Sequence, residues 1–209
     1  MWPNSHADFW PTFSCPLTTW SEVFKELKER GLTGVRYVVS DDHAGLVKAI
    51  GRHFQGVLWQ RCQVHFVRNL CSLVSKKDRP RIIEMLREIT TAQTYSTARK
   101  RMDEAIDALE KSHPRVAQML EKNGEDILTV YQLPVWQRRG MKSTNMLERY
   151  NQELTRRTRV VRIFPNQESC LRLVTALAME MNEEWLGRRY LIFEDEVSVR
   201  KTEKDLLAA

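Results

Sequence analysis

Cysteine is scarce and irregularly spaced in this sequence. Cys15, Cys62, Cys71 and Cys170 do not make the dense, paired framework of a disulfide-stapled domain, so a reducing, cytoplasmic compartment is expected. Long apolar runs are missing too. The longest nearly apolar stretch, residues 171–181, falls short of a membrane span and is interrupted by Arg172, so it reads as a buried helix and no membrane partner is expected. No basic-then-apolar leader opens the chain, which argues against secretion. A Gly-rich phosphate loop, a G-x-S-x-G elbow and an H-E-x-x-H pair are all absent, which removes several common enzyme classes. There is no internal repeat.

With 209 residues and 42% hydrophobic content, the chain can bury one ordinary core, or one core with an appended helical module. Its net charge of +6 is modest, but its distribution is not. Residues 133–172 hold nine basic groups (Arg138, Arg139, Lys142, Arg149, Arg156, Arg157, Arg159, Arg162 and Arg172) against Glu148, Glu153 and Glu168. The remaining 169 residues carry 24 charges of each sign, so the whole excess is local. A local basic block is either the electrostatic footprint of a nucleic-acid-binding surface or a solvated helix face.

Residues 1–20 hold three of the six tryptophans and three of the seven prolines without periodicity, and irregular structure is expected there. From Trp20, the spacing of Val23, Phe24 and Leu27 before Gly31 predicts a short amphipathic helix ending at glycine. Val35 to Val39 is a β-rich run, Leu46, Val47, Ile50 and Phe54 share a helical face, and Val57 to Trp59 suggests a second strand. Beyond that the pattern is helical. Phe66, Leu70, Leu73 and Val74 form one face, Ile82, Ile83, Leu86 and Ile89 a second, and Met102, Ile106 and Leu109 a third. Asp78-Arg79-Pro80 and Ser112-His113-Pro114 separate them. Leu147, Tyr150 and Leu154 give the basic block its own apolar stripe, Leu171 to Trp185 predicts a final core helix, and the tail beyond Glu194 is charged.

Each candidate chemical group has two readings. Asp41 follows a β-rich run, where a carboxylate projects from a strand end into a crevice as metal-binding aspartates do. Alternatively Ser40, Asp41 or Asp42 caps the next helix. Glu153 has Arg156 and Arg157 at i+3 and i+4 and reads as an ion-pair residue. Glu148 has Asn151 and Gln152 there instead, which leaves it available to a metal ion, with a capping box begun by Asn145 as the rival. Cys62 and His65 form a C-x2-H pair without a second pair at finger-like spacing, so zinc is not expected and the two lie one turn apart on a helix. His43 and His113 sit beside cap and Pro-turn signals.

Three separated segments, RGLTGVRYVVSDDHAGLVKAI, WQRCQVHFVRNL and KSTNMLERYNQELTRRTRVVRIFPNQESCLRLV, occur in an order that resembles the mutator-type transposases of bacterial insertion sequences, over roughly residues 21–193. The resemblance implies an α/β, predominantly helical fold: a partial ribonuclease H-like core interrupted by an all-helical insertion. It also implies an Asp-Asp-Glu triad working with Mg²⁺ or Mn²⁺ on DNA, both transposon ends and target. By motif match, Asp41 is similar to the second triad aspartate and Glu148 to the glutamate, both as metal ligands. Cys62 and His65 match the family signature in the insertion. The basic residues Arg138, Arg139, Lys142, Arg149, Arg156, Arg157, Arg159 and Arg162 then become a DNA track, and the location becomes cytoplasmic and nucleoid-associated.

On this reading residues 1–20 stand outside the family pattern, 21–61 form the first part of the core, 62–135 the helical insertion, 136–193 the second part with the glutamate helix, and 194–209 a tail. The family's first aspartate lies on an early strand. Asp8 is the only aspartate before Asp41, and its surroundings, HADFWP, do not resemble that strand. The expectation is therefore the C-terminal portion of a transposase, without the N-terminal DNA-binding region and the first aspartate, and with little autonomous activity. A DNA-binding remnant that inhibits a full-length copy through mixed assembly, a homo-oligomer, and a zinc-stabilised interaction module stay open as alternatives.

Overall fold

The computed structural model describes residues 17–161 and 163–187. The chain divides into two compact units, Met1–Gln132 and Leu133–Ala209, each considered by itself.

The first unit opens with α1, Leu17–Glu29, which starts before Trp20 and so takes residues 17–20 out of the expected irregular segment. It ends as expected at glycine. Gly31 has φ 102°, and the Leu32 amide donates to the Leu27 carbonyl at 2.9 Å, so the last carbonyls of the helix are satisfied by a left-handed residue. Strand β1, Tyr37–Ser40, helix α2, Ala44–His53, and strand β2, Leu58–Arg61, form one β-α-β unit. The strands are parallel, in the register Tyr37↔Leu58 through Ser40↔Arg61, and helix α2 is the crossover that a parallel pair requires. Both strands run further toward their C-termini than the β-rich pattern predicts. Gly34 (φ 66°) still belongs to the turn, while the polar Ser40, Gln60 and Arg61 belong to the sheet and are buried. Helix α1 packs on α2 through Phe24, whose ring meets Phe54 edge-on at 5.0 Å and His53 at 6.0 Å.

A helical module follows without a loop: α3, Gln63–Ser72; α4, Arg79–Thr90; α5, Tyr95–Glu110; α6, Pro114–Asn123; then two 3-10 turns, Glu125–Ile127 and Thr129–Gln132. Its core contains Phe66, Leu70, Ile82, Leu86, Ile89, Met102, Leu109, Leu120 and Ile127, each at most 2% exposed. Removing each such side chain from water stabilises the fold by roughly 1.5–3 kcal/mol. Ile83, expected on the buried face of α4, is 45% exposed, because that helix has a single packed stripe. Helix α6 falls in the stretch expected to be helical, although no apolar face was named for it. It starts at Pro114, whose missing N–H costs nothing in a first turn, and buries Val116, Ala117 and Leu120.

The second unit contains α7, Val135–Met141; α8, Asn145–Val161; and α9, Gln167–Gly187. Asn166 caps α9 by accepting from the Ser169 amide at 2.8 Å, and Tyr150 of α8 meets Trp185 of α9 edge-on at 6.4 Å. The expected final core helix is a correction. Leu171 is 63% and Met179 61% exposed, and among the described residues of this unit only Leu177 is buried. Leu147 is likewise 53% exposed, since two packed helices such as α8 and α9 bury only the residues along the seam between them. The fold is thus predominantly helical with a small two-stranded parallel sheet among the described residues. No described helix is long and apolar enough to cross a membrane.

Candidate active-site carboxylates and nucleic-acid interface

The carboxyl end of β1 is where the first unit concentrates its polar chemistry. Ser40 is buried; its hydroxyl accepts from the Trp59 indole N–H at 2.9 Å and donates to the Asp41 carbonyl at 2.8 Å. The Cys62 amide donates to the Ser40 carbonyl at 2.7 Å, extending the ladder one step past β2. The backbone entering Asp41 is therefore held from two sides.

The cap of α2 belongs to none of Ser40, Asp41 or Asp42. It is His43, in extended conformation, whose Nδ1 accepts from the Leu46 amide at 3.3 Å. That role requires the proton on Nε2 when the ring is neutral. Asp42 is drawn instead to Arg61, with Nη1 to Oδ2 at 3.0 Å. Asp41 is exposed, and its carboxylate has no hydrogen bond or ion pair among the described residues.

Arg61 is 2% exposed, a guanidinium almost wholly out of water, with the Phe66 ring 4.9 Å from its central carbon. Asp126, in the first 3-10 turn, completes this surrounding. Burial raises its carboxyl above the ordinary range, Arg61 pulls it back down, and Asp42 pushes it up further. Beside them, Gln60 is fully buried; its Oε1 accepts from the Val130 amide at 2.6 Å and from the Tyr37 hydroxyl at 3.2 Å, and its Nε2 donates to the Arg61 carbonyl. Gln63 Nε2 donates to the Ile127 carbonyl at 3.0 Å. Burial pushes the Tyr37 phenol above its ordinary range. This polar layer joins the sheet to the end of the helical module. Sequence reasoning gave Asp42 only as a candidate cap and missed Gln60, Arg61, Gln63 and Asp126; for Gln60, Arg61 and Gln63 the available signal was a strand that enters a helix with no turn residue between, which leaves its polar positions facing inward.

Cys62 is fully buried at the N-cap position of α3, and His65 lies in the first turn, so the pair stands one turn apart as expected. Among the described residues, no group of three or more His, Cys, Asp or Glu side chains is placed to hold a metal ion. Asp41 fits a hard cation by chemistry, as an exposed and uncommitted carboxylate oxygen donor.

In the second unit, Glu148 occupies the first turn of α8, half-buried, with its amide donating to the Thr144 carbonyl at 3.0 Å. A carboxylate there is favoured by the helix dipole. Glu153 binds Arg156 through two contacts of 2.7 and 2.8 Å and Arg157 through one of 2.8 Å, and this pair of guanidinium groups, Arg156 first, holds its carboxyl down at about 2. Arg149 and Arg159 have no ion pair among the described residues. Arg149, Gln152, Arg156 and Arg159 recur at i, i+3, i+7 and i+10, which places them along one face of α8. A shallow groove of about 390 Å³ lies there, lined by Asn151, Gln152, Thr155, Arg156 and Arg159. Arg138 and Arg139 fall in the last turn of α7, Lys142 is its C-cap residue, and Arg138 Nε donates to the Leu133 carbonyl at 2.9 Å. Arg162 and Asp8 lie outside the described residues.

Residues 16–187 match the family of transposases described as "Transposase, Mutator family". The chain belongs to that family. It is 44% identical over 179 residues to the transposase for insertion sequence element ISRM5 of Rhizobium meliloti (strain 1021), a match covering 85% of this chain and 45% of that protein. It is 40% identical over 176 residues to the transposase for IS406 of Burkholderia multivorans (83% and 45%), and 39% identical over 180 residues to that for IS256 in transposon Tn4001 of Staphylococcus aureus (84% and 46%). The chain spans about half the length of these curated relatives.

Proposed function

We propose that this chain is part of an insertion-sequence transposase, supplying two carboxylates of a metal-dependent DNA strand cleavage and transfer reaction together with a basic helix that holds DNA. The observation that carries this reading is the state of Asp41: exposed, uncommitted, and at the carboxyl end of a parallel strand, while His43 takes the helix cap and Arg61 takes Asp42. Family membership supports it. In this reading the β-α-β unit is part of a ribonuclease H-like core and helices α3–α6 are an insertion within it.

Asp41 in the first unit and Glu148 in the second would each serve as a carboxylate ligand for Mg²⁺ or Mn²⁺. When bound, such ions would activate water and stabilise the attacking and leaving oxygens of an in-line phosphoryl displacement. Arg149, Arg156, Arg157 and Arg159, with Arg138, Arg139, Lys142 and Arg162, neutralise backbone phosphates of transposon ends and target. They position without reading sequence.

These 209 residues by themselves have little autonomous activity, because two carboxylates hold a cation more weakly than three. Strand transfer is the deciding assay, with purified chain, transposon ends and Mg²⁺ or Mn²⁺. No joining is expected; robust joining that Glu148→Gln abolishes would refute the inactive-alone reading. The row of Arg149, Arg156 and Arg159 along one face of α8 supports a second reading as well, a non-catalytic DNA-binding form that occupies transposon ends or enters mixed assemblies with a full-length transposase. Adding the chain to an active relative separates the two, since an inhibitor lowers joining in proportion to the amount added.

A further inference from the structure

Two adjacent aspartates end β1, and they are not equivalent. Asp42 lies 3.0 Å from a guanidinium that is 2% exposed, whereas Asp41 has no such partner among the described residues. We propose that Arg61 is a positioning residue that withdraws Asp42 and leaves Asp41 as the carboxylate facing a divalent cation. The metal-facing part of this inference rests on the proposed function, and the withdrawal of Asp42 does not.

Burial makes Arg61 depend on its partner. A guanidinium removed from water is costly unless paired, and the contact that pairs Arg61 is Asp42. Swinging Asp42 toward a cation would therefore break the one ion pair of this buried charge among the described residues and leave Asp126 as the carboxylate near it. The Phe66 ring lies over the guanidinium from one side, 4.9 Å from the ring centre, and Asp126, in the 3-10 turn, is close enough to feel its charge. The Arg61 backbone is fixed as well, because Gln60 Nε2 donates to the Arg61 carbonyl at 2.7 Å and register places it against Ser40. Meanwhile Trp59 and Ser40 pin the Asp41 backbone. Withdrawal of one carboxylate and presentation of its neighbour follow from the same strand pair.

Carbodiimide-driven coupling of glycinamide to the whole chain, read by peptide mass spectrometry, measures each aspartate separately and needs no metal. Asp41 is expected to couple at least roughly threefold faster than Asp42, the scale of one partly exposed ion pair, with the ratio falling to about one in Arg61→Met. A ratio that Arg61→Met leaves unchanged overturns the proposal. Should that variant fail to fold by circular dichroism, Arg61→Gln, which keeps polar groups in the pocket but no charge, decides the same question.

A second arm reads Mn²⁺ broadening of the amide resonances of residues 39–43. Broadening lost in Asp41→Asn, kept in Asp42→Asn, and regained in Asp41→Asn/Arg61→Met through the released Asp42 supports selection by Arg61. A structural contribution alone would not restore binding. Broadening abolished by Asp42→Asn but not by Asp41→Asn overturns it. If the natural chain shows no broadening at all, the metal reading of Asp41 fails, while the coupling ratio still judges Arg61.

Discussion

Gln60 shows at the residue scale how a buried polar group holds two elements together. Its Oε1 satisfies the Val130 amide, so truncation leaves a buried donor with nothing to bond. Gln60→Ala should therefore cost about 1–3 kcal/mol in urea unfolding, near the upper end because two further contacts go with it. Glu153 is the contrasting case, exposed and charge-clamped. Its carboxyl is held at about 2, below its ordinary 4.5, so its contribution to stability is present above the ordinary value and lost as pH falls through about 2. A ¹³C titration of the Glu153 carboxyl should show that low midpoint, and Arg156→Ala/Arg157→Ala should return it toward 4.5. An ordinary midpoint in the natural chain would mean the clamp does not persist in solution.

At the scale of elements, helices α1 to α5 were legible because their apolar residues recur every three to four positions, and glycine or proline marks an end of several, as Gly31 does for α1 and Pro80 for α4. Helix α6 and the 3-10 turns were harder to see, being short and built from few apolar positions. The strand ends were displaced because Ser40, Gln60 and Arg61 read as surface residues until the sheet and the helical module enclose them. Asp41 was legible by its place after a strand. What sequence left open was who caps α2, and that depended on His43 reaching back to the Leu46 amide, a matter of backbone angle rather than residue type. Close packing gives one more test. A Cβ on Gly124 would run into the Met102 side chain and the Leu120 carbonyl. Gly124→Ala is expected to destabilise the module by about 1–3 kcal/mol, measured by thermal melting, although its backbone angles suit alanine.

The two units differ most at the scale of the whole molecule. The first has a well-filled core, while among the described residues the second buries only Leu177. Amides of residues 145–187 should therefore exchange with solvent faster than those of residues 63–132, as measured by hydrogen-exchange mass spectrometry. Equal protection would show that the second unit is stabilised by contacts beyond its own helices. DNA binding belongs at this scale too. On the proposed DNA-binding reading, log affinity should fall linearly with log salt, and Arg149→Ala/Arg159→Ala, which removes two cations with no ion pair among the described residues, should flatten the slope by about two. Substituting Arg156 and Arg157 alters the slope less, because Glu153 already neutralises part of their charge.

Cys62 ends one element and begins another: its amide closes the ladder onto Ser40, and its carbonyl accepts the Phe66 amide at 3.0 Å in the first turn of α3. Strand and helix thus share a residue, and chain length at this junction is fixed. One extra residue between Arg61 and Cys62 would rotate α3 by about 100° relative to β2 and detach the step that anchors Ser40. The same insertion between Lys76 and Lys77, in the exposed turn that Ser75 and Asp78 close at 2.6 Å, would lengthen a surface connection and leave the carboxyl end of β1 where it is. Whatever tilts the helical module must therefore move the aspartates with it.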